Sequence, residues 1–386
     1  MKLGSILSLH EFEGQAAKLL PRALAEYIAG GAEDGLSLRA NRDAFERLRF
    51  MPRVLLATGA RATDTLLWGE LWRAPFGIAP MGAAALMAYD ADCVLARAAA
   101  AEGVPFILSG SSLTPMERVI EAHPRAWFQL YPADESGPNL ILLRRAAAAG
   151  FGTLVVTADV PVAGRREADL RNGYTSPLRL GPGMLLGFAA RPRWLARHLL
   201  PTLAIRGMPH FENYAEGRTP MISGTLIRSH RRDGFDWGQL TLLRDSWPGR
   251  LVLKGVLAPQ DAQRAWATGV DGIIVSNHGG RQLDGAVTAV DALPAMVPAP
   301  PQRALMCDGG IRRGNDVLKA LGLGAQMTWV GRPMLQAAAV GGETGVRHAI
   351  GLLREEMLRS MALLGLNRPQ DAGQVLRPSP GPADLA

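Results

Sequence analysis

Cysteine is nearly absent from this 386-residue chain, which has only Cys93 and Cys307. One bridge at most is possible, so a disulfide-stapled scaffold is excluded; the spacing offers no zinc site, and the expectation is a reducing compartment and no bound metal. Lysine is scarce too: apart from Lys2, Lys18, Lys254 and Lys319, all 42 basic residues are arginine. No window approaches the ~18 uninterrupted apolar residues of a membrane-spanning helix, and residues 1–10 have too short an apolar run for a secretion signal. A spanning membrane protein is therefore excluded. What remains, 48% hydrophobic and 20% charged residues, is the composition of a folded globular chain.

Acidic residues have a gap of their own. Between Asp169 and Glu212 there is none, yet that stretch holds Arg171, Arg179, Arg191, Arg193, Arg197 and Arg206. The chain carries a net +7; without this stretch its 36 basic and 35 acidic residues nearly cancel. Net positive charge raises nucleic acid or an anionic membrane as partner. Here the excess belongs to that one stretch, and from 177 to 210 its arginines alternate with leucines, Met184, Phe188, Trp194 and Ile205. Apolar side chains beside guanidinium groups suit the headgroup region of an anionic membrane. Nucleic acid would need aromatics interleaved with basic groups on a platform, and no such partner is expected. A solvated, arginine-rich lid is the alternative.

Short, continuously apolar runs recur at 76–80 (FGIAP), 105–109 (PFILS), 126–131 (AWFQLY), 153–159 (TLVVTAD), 251–255 (LVLKG), 272–278 (GIIVSNH), 303–309 (RALMCDG) and 327–331 (MTWVG). Continuous apolarity marks strands covered on both faces, as in parallel sheets. Most gaps hold Ala- and Leu-rich helical stretches, such as 92–103, 139–150, 259–269 and 315–322, so the chain reads as repeated βαβ units. Eight such units predict an α/β TIM (β/α)8 barrel spanning 1–386 as one domain; a doubly wound open sheet is the alternative. Residues 1–75 read as a helical preface, with KLLPRALAEYIAGGAED (18–34) its clearest amphipathic stretch. The gap 160–250 after the fourth strand is far longer than one helix needs, and 175–235 reads as an insertion used as a lid, binding loop or membrane-binding segment.

A TIM barrel gathers its site at the C-terminal strand ends. Those ends carry Pro80, Met81 and Gly82; Ser109; Gln129 with Tyr131; Thr157 with Asp159; Lys254; Ser276 with His278; Asp308, Gly309 and Gly310; and Gly331 with Arg332. DGGIRRG (308–314), with Arg312, and GRP (331–333) follow strands seven and eight, where glycine-rich backbone and a guanidinium can hold a phosphate. In SNHGGRQLDG (276–285), His278 has the side chain best suited to general-base work, and Arg281 could hold a carboxylate at two points. The other six histidines (His10, His123, His198, His210, His230, His348) read as surface or packing residues.

SNHGGRQLDG closely resembles the signature of the FMN-dependent 2-hydroxy acid oxidases and dehydrogenases. So do YIAGGAEDG (27–35), APMG (79–82), WFQLY (127–131), TADVPVAGRREADLRNGY (157–174), LKGV (253–256) and CDGGIRRGNDVLKALGLGA (307–325). The resemblance covers about residues 8–366. It implies that His278 takes a proton from the substrate, Asp159 stabilises the imidazolium, and Arg281 and Arg166 clamp the carboxylate with Tyr27 and Tyr131 nearby. Lys254 would neutralise reduced FMN. Ser109, Gln129, Thr157 and Ser276 would bond the flavin edges or ribityl chain; Asp308, Gly309, Gly310, Arg312, Gly331 and Arg332 would hold ribityl and phosphate. Ser111 stands where glycolate oxidases have a bulky aromatic, which implies a roomier pocket for lactate- or mandelate-like acids. Gly82 and the insertion resemble the membrane-associated dehydrogenases, implying quinone as acceptor and a peripheral position on the inner face of the cell membrane; the resemblance to the family as a whole implies a homo-oligomer, a tetramer. A soluble oxidase making hydrogen peroxide and a non-catalytic phosphate-ligand-binding barrel remain open.

Overall fold

The structure is a computed structural model and describes residues 3–174, 178, 180–222, 232–296, 300 and 302–378. Eight parallel strands close on themselves: β1 Phe76–Ile78, β2 Ile107–Ser109, β3 Trp127–Leu130, β4 Thr153–Thr157, β5 Arg250–Val256, β6 Gly272–Val275, β7 Ala304–Asp308 and β8 Met327–Val330. Their spatial order is β1, β8, β7, β6, β5, β4, β3, β2, and a parallel bridge between Ile78 and Phe106 joins β1 to the start of β2. The closed ring is a TIM barrel, not an open sheet, and seven strands fall inside the apolar runs, while β5 extends one residue beyond its run at each end.

Side chains alternate across a strand, and this alternation divides the barrel lumen in two. Ile107, Trp127, Val155, Val252, Ile274 and Met306 pack inside with Met327 and Trp329. Two residues further along each strand, the inward positions become Ser109, Gln129, Thr157, Lys254, Ser276 and Asp308, all buried. The lower mouth is stoppered by a hairpin, Thr65–Leu67 with Glu70–Trp72, whose Leu67 and Trp72 join the inner cluster with Trp68 packed against it. Functional polarity is thereby confined to one end.

The stretch before the barrel is not helical throughout. Besides that hairpin, Leu48–Phe50 pairs antiparallel with Leu376–Pro378. Pro21 divides the 18–34 stretch: it disfavours helical geometry at Leu20, which is extended (ψ 150), so Leu9–Leu19 and Arg22–Ala29 are separate helices. A third helix, Leu36–Glu46, follows.

Of the insertion, residues 175–177 (Pro177 among them), Arg179 and residues 223–231, with His230, lie outside the described residues. The rest forms a helix Pro182–Ala189, a helical run from 192 to 206 with a wider turn over Leu195–Leu199, a short hairpin His210–Phe211 with Thr219–Pro220, and a helix Trp237–Ser246. Asp236 caps the last of these: its side chain accepts from Gln239 N, and the Gln239 side chain accepts from Asp236 N, each at 3.0 Å. The 192–206 run is anchored to the barrel by one face. Trp194 Nε1 donates to the Leu86 carbonyl at 3.2 Å, Tyr89 N donates to His198 Nδ1 at 3.1 Å, and Trp194, His198 and Thr202 are buried. Trp194 and Met184 therefore serve packing, not an outward apolar face. That face belongs to Leu185, Leu186, Leu200 and Ile205, which are 51%, 72%, 57% and 63% exposed.

Candidate active site

The polar end of the lumen opens into a cavity of about 720 Å³, a size suited to a cofactor with a small substrate. Its floor is an ordered network. Lys254 Nζ donates to Ser276 Oγ at 2.8 Å and lies 3.0 Å from Asp308 Oδ2. Ser109 Oγ donates to Gln129 Oε1 at 3.1 Å. Burial works against the Lys254 charge, but Asp308 and Asp159 outweigh it and hold its pKa above the ordinary lysine value. Lys254 is thus a fixed cation under the cavity.

Gly255 is what permits this placement. The β5–β6 register slips between Lys254 and Val256, and Gly255 turns left-handed (φ 102). A Cβ there would stand 2.6 Å from Asp159 Cβ, so only glycine leaves room for both Lys254 and Asp159.

His278 stands on the rim in the left-handed region (φ 56), a strained setting for a non-glycine residue. Two bonds fix it: its backbone N donates to Ser276 Oγ at 3.0 Å, and Nδ1 lies 3.0 Å from Asp159 Oδ1. Since a carboxylate can only accept, Nδ1 carries the proton and Nε2 is the basic nitrogen. Burial raises the Asp159 pKa, but His278 and Lys254 outweigh it, and the group remains a carboxylate with a pKa below normal.

Around this pair stand the groups suited to an organic anion. Arg166 donates from Nε to Asp169 Oδ2 at 2.8 Å, and Arg281 donates from Nη1 to the carbonyls of Tyr27 and Gly30 at 2.6 and 2.9 Å. The Arg281 guanidinium lies 4.8 Å from the centre of the Tyr27 ring. Tyr131 faces the His278 ring at 6.4 Å, and burial raises its phenol pKa, so it stays a neutral donor.

At the far side, past β7 and β8, the guanidiniums crowd. Burial and neighbouring Arg42 lower the Arg312 pKa to about 10; burial, Arg281 and Arg312 lower that of Arg332 to about 9. Arg332 donates to the carbonyls of Ile28, Gly30 and Gly279. Gly309 and Gly310 are left-handed (φ 96 and 82), and a Cβ on Gly310 would collide with the Asn41 carbonyl. Cations held at this cost suit an anion such as a phosphate ester.

Every residue singled out in the sequence converges here. Pro80, Met81, Gly82, Gly331, Arg332 and the 308–312 loop line the cavity, while Ser109, Gln129, Ser276 and Asp159 lie in the layer behind it. Buried Gln129 Nε2, Thr157 Oγ1, Asp159 Oδ2 and Asp308 Oδ1 have no hydrogen-bond partner. Unmet donors and acceptors in one rim fit the polar edge of a heterocycle and its sugar-like chain. The sequence reading missed several lining residues from the insertion, Leu178, Phe211, Met221 and Arg232, and it missed Tyr174, whose ring lies 4.4 Å from that of Tyr27. Arg232 stands 4.8 Å from the centre of the Tyr131 ring. Tyr174 closes the 157–174 motif and was readable there; the others lie where no periodicity marks them.

Comparison with known proteins agrees. The family model described as FMN-dependent dehydrogenase matches residues 16–377. The chain is 38% identical to the L-lactate oxidase of Nostoc sp. over 96% of its own length and 97% of the relative's. It is 35% identical to the (S)-mandelate dehydrogenase of Pseudomonas putida over 94% and 91%. Among solved structures, the monotopic membrane protein (S)-mandelate dehydrogenase superposes with a TM-score of 0.88 at 34% identity, covering 97% of this chain and 99% of that one.

Proposed function

Because the chain belongs to the FMN-dependent dehydrogenase family, we propose that it oxidises an L-2-hydroxy acid of the lactate or mandelate type to the 2-oxo acid at a membrane surface, with quinone as acceptor. The observation that carries the reading is the His278–Asp159 pair, whose basic Nε2 belongs to a side chain lining the same cavity as Arg166, Arg281 and Lys254. FMN, when bound, accepts the two electrons that leave the substrate Cα. Gln129, Thr157 and Asp308 would meet its polar edge and ribityl chain, with Ser109 and Ser276 supporting them, while Arg312, Arg332 and the Gly309–Gly310 backbone would hold the phosphate. Pro80, Met81 and Gly82 would border the ring.

The chain's own residues then have definite tasks. Arg166 and Arg281 pair with the substrate carboxylate, which fixes the acid in one orientation. Tyr27 and Tyr131 offer hydroxyls beside it. His278 Nε2 takes a proton from the substrate, and Asp159, already ionised, stabilises the imidazolium that forms. Lys254 sets a positive charge where negative charge accumulates on reduction. Ser111, small, with Leu178, Phe211 and Met221 from the insertion, provides apolar space for a methyl or larger substituent.

The outward leucines and Ile205, with exposed Arg193 and Arg197 beside them, support membrane docking. A fully buried leucine contributes ~1.5–3 kcal/mol and each nearby basic residue ~1 kcal/mol at an anionic surface. Among the described residues no helix is long and apolar enough to cross a membrane, and the structural relative is named as monotopic; both favour docking on one face, which we assign to the cytoplasmic side. We assign a homo-oligomer, a tetramer, by family resemblance. The lactate oxidase among the relatives favours a second reading in which oxygen is the acceptor.

Anaerobic addition of lactate, mandelate, glycolate and longer 2-hydroxy acids to the FMN-loaded enzyme should bleach the flavin with the preferred acid. A short-tailed benzoquinone should then restore the colour faster than air. Absence of bleaching with any acid overturns the activity, and peroxide formed in step with product transfers the acceptor role to oxygen.

A further inference from the structure

A second cavity, of about 380 Å³, lies between the barrel and the end of the 192–206 helical run, and the reaction described above makes no use of it. Three segments separate it from the active-site cavity. Gly82 and Ala83 face the first and Ala85 the second; Ser111 faces the first and Leu113 the second; Phe211 faces the first and its neighbours His210 and Glu212 the second. Ala83 N donates to the Ser111 carbonyl at 2.9 Å and Glu212 N to the Ser112 carbonyl at 3.2 Å, which stitches the segments into one thin wall.

Ile205 and Met208 line this second cavity and are also 63% and 51% exposed. Its mouth therefore opens on the outward apolar surface of the insertion, where a lipid-soluble molecule could enter without crossing water. The lining is half apolar, with Ala85, Leu113 and Pro209, and each of its three guanidiniums lies beside one of its two carboxylates. Arg118 donates to Asp90 Oδ1 at 2.8 Å, Arg218 donates to Glu212 Oε1 at 2.9 Å, and Arg206 lies 3.7 Å from Asp90. Carboxylates beside the guanidiniums disfavour a phosphate headgroup and suit an uncharged ring bearing carbonyls. His210 supplies a proton-exchanging group. Its Nδ1 lies 2.6 Å from the Met208 carbonyl and must donate there, leaving Nε2 to exchange a proton with a ligand.

We propose that this second cavity is the headgroup site of a membrane-borne quinone. The proposal rests on the quinone reading above and adds where that molecule binds. The two electrons from the substrate's Cα–H bond cross the wall by way of the flavin. The quinone's two oxygens take up two protons, one through His210 and one from water, matching the hydroxyl proton and Cα hydrogen that the acid gives up. The sum is 2-hydroxy acid plus quinone to 2-oxo acid plus quinol.

The test compares the FMN-loaded enzyme with Ala85→Leu, which fills the cavity, and His210→Gln, which keeps its shape. Stopped-flow flavin reduction by the preferred acid and reoxidation by ferricyanide should stay within about twofold of wild type. Reoxidation by a short-tailed benzoquinone should slow about tenfold or more, and an azido derivative of that quinone should label peptides spanning 205–212 in wild type and lose that label in Ala85→Leu. If wild type is reoxidised by the quinone and both variants keep that rate, or the label falls elsewhere, this site is overturned while the quinone reading stands. If wild type itself ignores the quinone, both fall.

Discussion

The barrel rim and the insertion solve opposite electrostatic problems. On the rim, charge is taken out of water and given a partner: Lys254 lies against Asp308, and the Asp159 carboxylate accepts from His278, each at 3.0 Å with little exposure. Along the insertion, Arg193 and Arg197 stay in solvent while Leu186 and Ile205 are largely exposed beside them. A buried pair holds one geometry, as chemistry requires; a solvated cation beside bare hydrocarbon keeps its attraction for whatever surface arrives. The difference teaches that turnover and docking should be separable by mutation.

The largest separation should come from His278→Gln. Glutamine can keep a hydrogen bond to Asp159 but cannot take the substrate proton, so acid-driven flavin reduction should fall by ~10²–10⁴-fold, with FMN absorbance and vesicle binding unchanged. Reduction at an undiminished rate would remove His278 from the role of base. Next comes the reciprocal change, Leu186→Glu with Ile205→Glu. Two exposed leucine-sized contacts at ~1.5–3 kcal/mol each imply at least a tenfold loss of co-sedimentation with anionic vesicles. Ferricyanide-coupled oxidation of the acid should be unaltered. Loss of both properties together would break the separation.

How much of this was legible in the sequence follows from the same contrast. Barrel strands are buried on both faces, so FGIAP, TLVVTAD or GIIVSNH announce themselves as runs, and the polar residue ending each marks the rim. In the structure period-two alternation turns Ser109, Gln129, Thr157 and Ser276 into the lumen, a phase that a continuously apolar run does not reveal. The bonds among them were not legible, because contacts such as Lys254 with Asp308 join residues from different strands. Nor was the insertion's orientation. Its composition marks a surface segment, but Trp194 turns inward through a hydrogen bond to Leu86 and His198 through bonds with Tyr89 and Ala339, and no periodicity encodes those. Phe211 and Met221 reach the cavity by tertiary packing of a segment without a repeat.

A smaller effect probes the seam where the two regions meet. Asp90 is approached there by Arg118 and by Arg206 of the insertion, and next to it Asp92 is buried, its pKa raised to about 6 by desolvation despite bonds from Ser112 and Thr114. A folded-state pKa above the unfolded value means that this carboxyl's contribution to stability is intact below about pH 4. It is lost as pH rises through about 6. Asp92→Asn keeps the acceptor for Thr114 and removes the charge, so it should raise stability at pH 8 by up to ~2–3 kcal/mol and have little effect at pH 4. Denaturant midpoints at the two pH values check this; an equal change at both would show that packing, not ionisation, is responsible.

The smallest expected effect lies in the wall itself. Gly82 faces the active-site cavity, and a Cβ added there would stand 3.2 Å from Ser111 Cβ and 3.9 Å from Ser109 Oγ. The methyl of Gly82→Ala therefore fits only if Ser111 yields by a few tenths of an ångström, a cost of at most ~1–3 kcal/mol. It would narrow the space beside the flavin while leaving His278, Arg166 and Arg281 where they are. Acid-driven reduction should change by a few-fold, and the ratio of reoxidation by oxygen to reoxidation by a benzoquinone should shift by a similar factor. If oxygen and quinone both reach the flavin through the active-site cavity, the methyl hinders them alike and the ratio stays put. A shifted ratio means that the two acceptors use different faces of this wall, and that the insertion takes part in the reaction as more than an anchor.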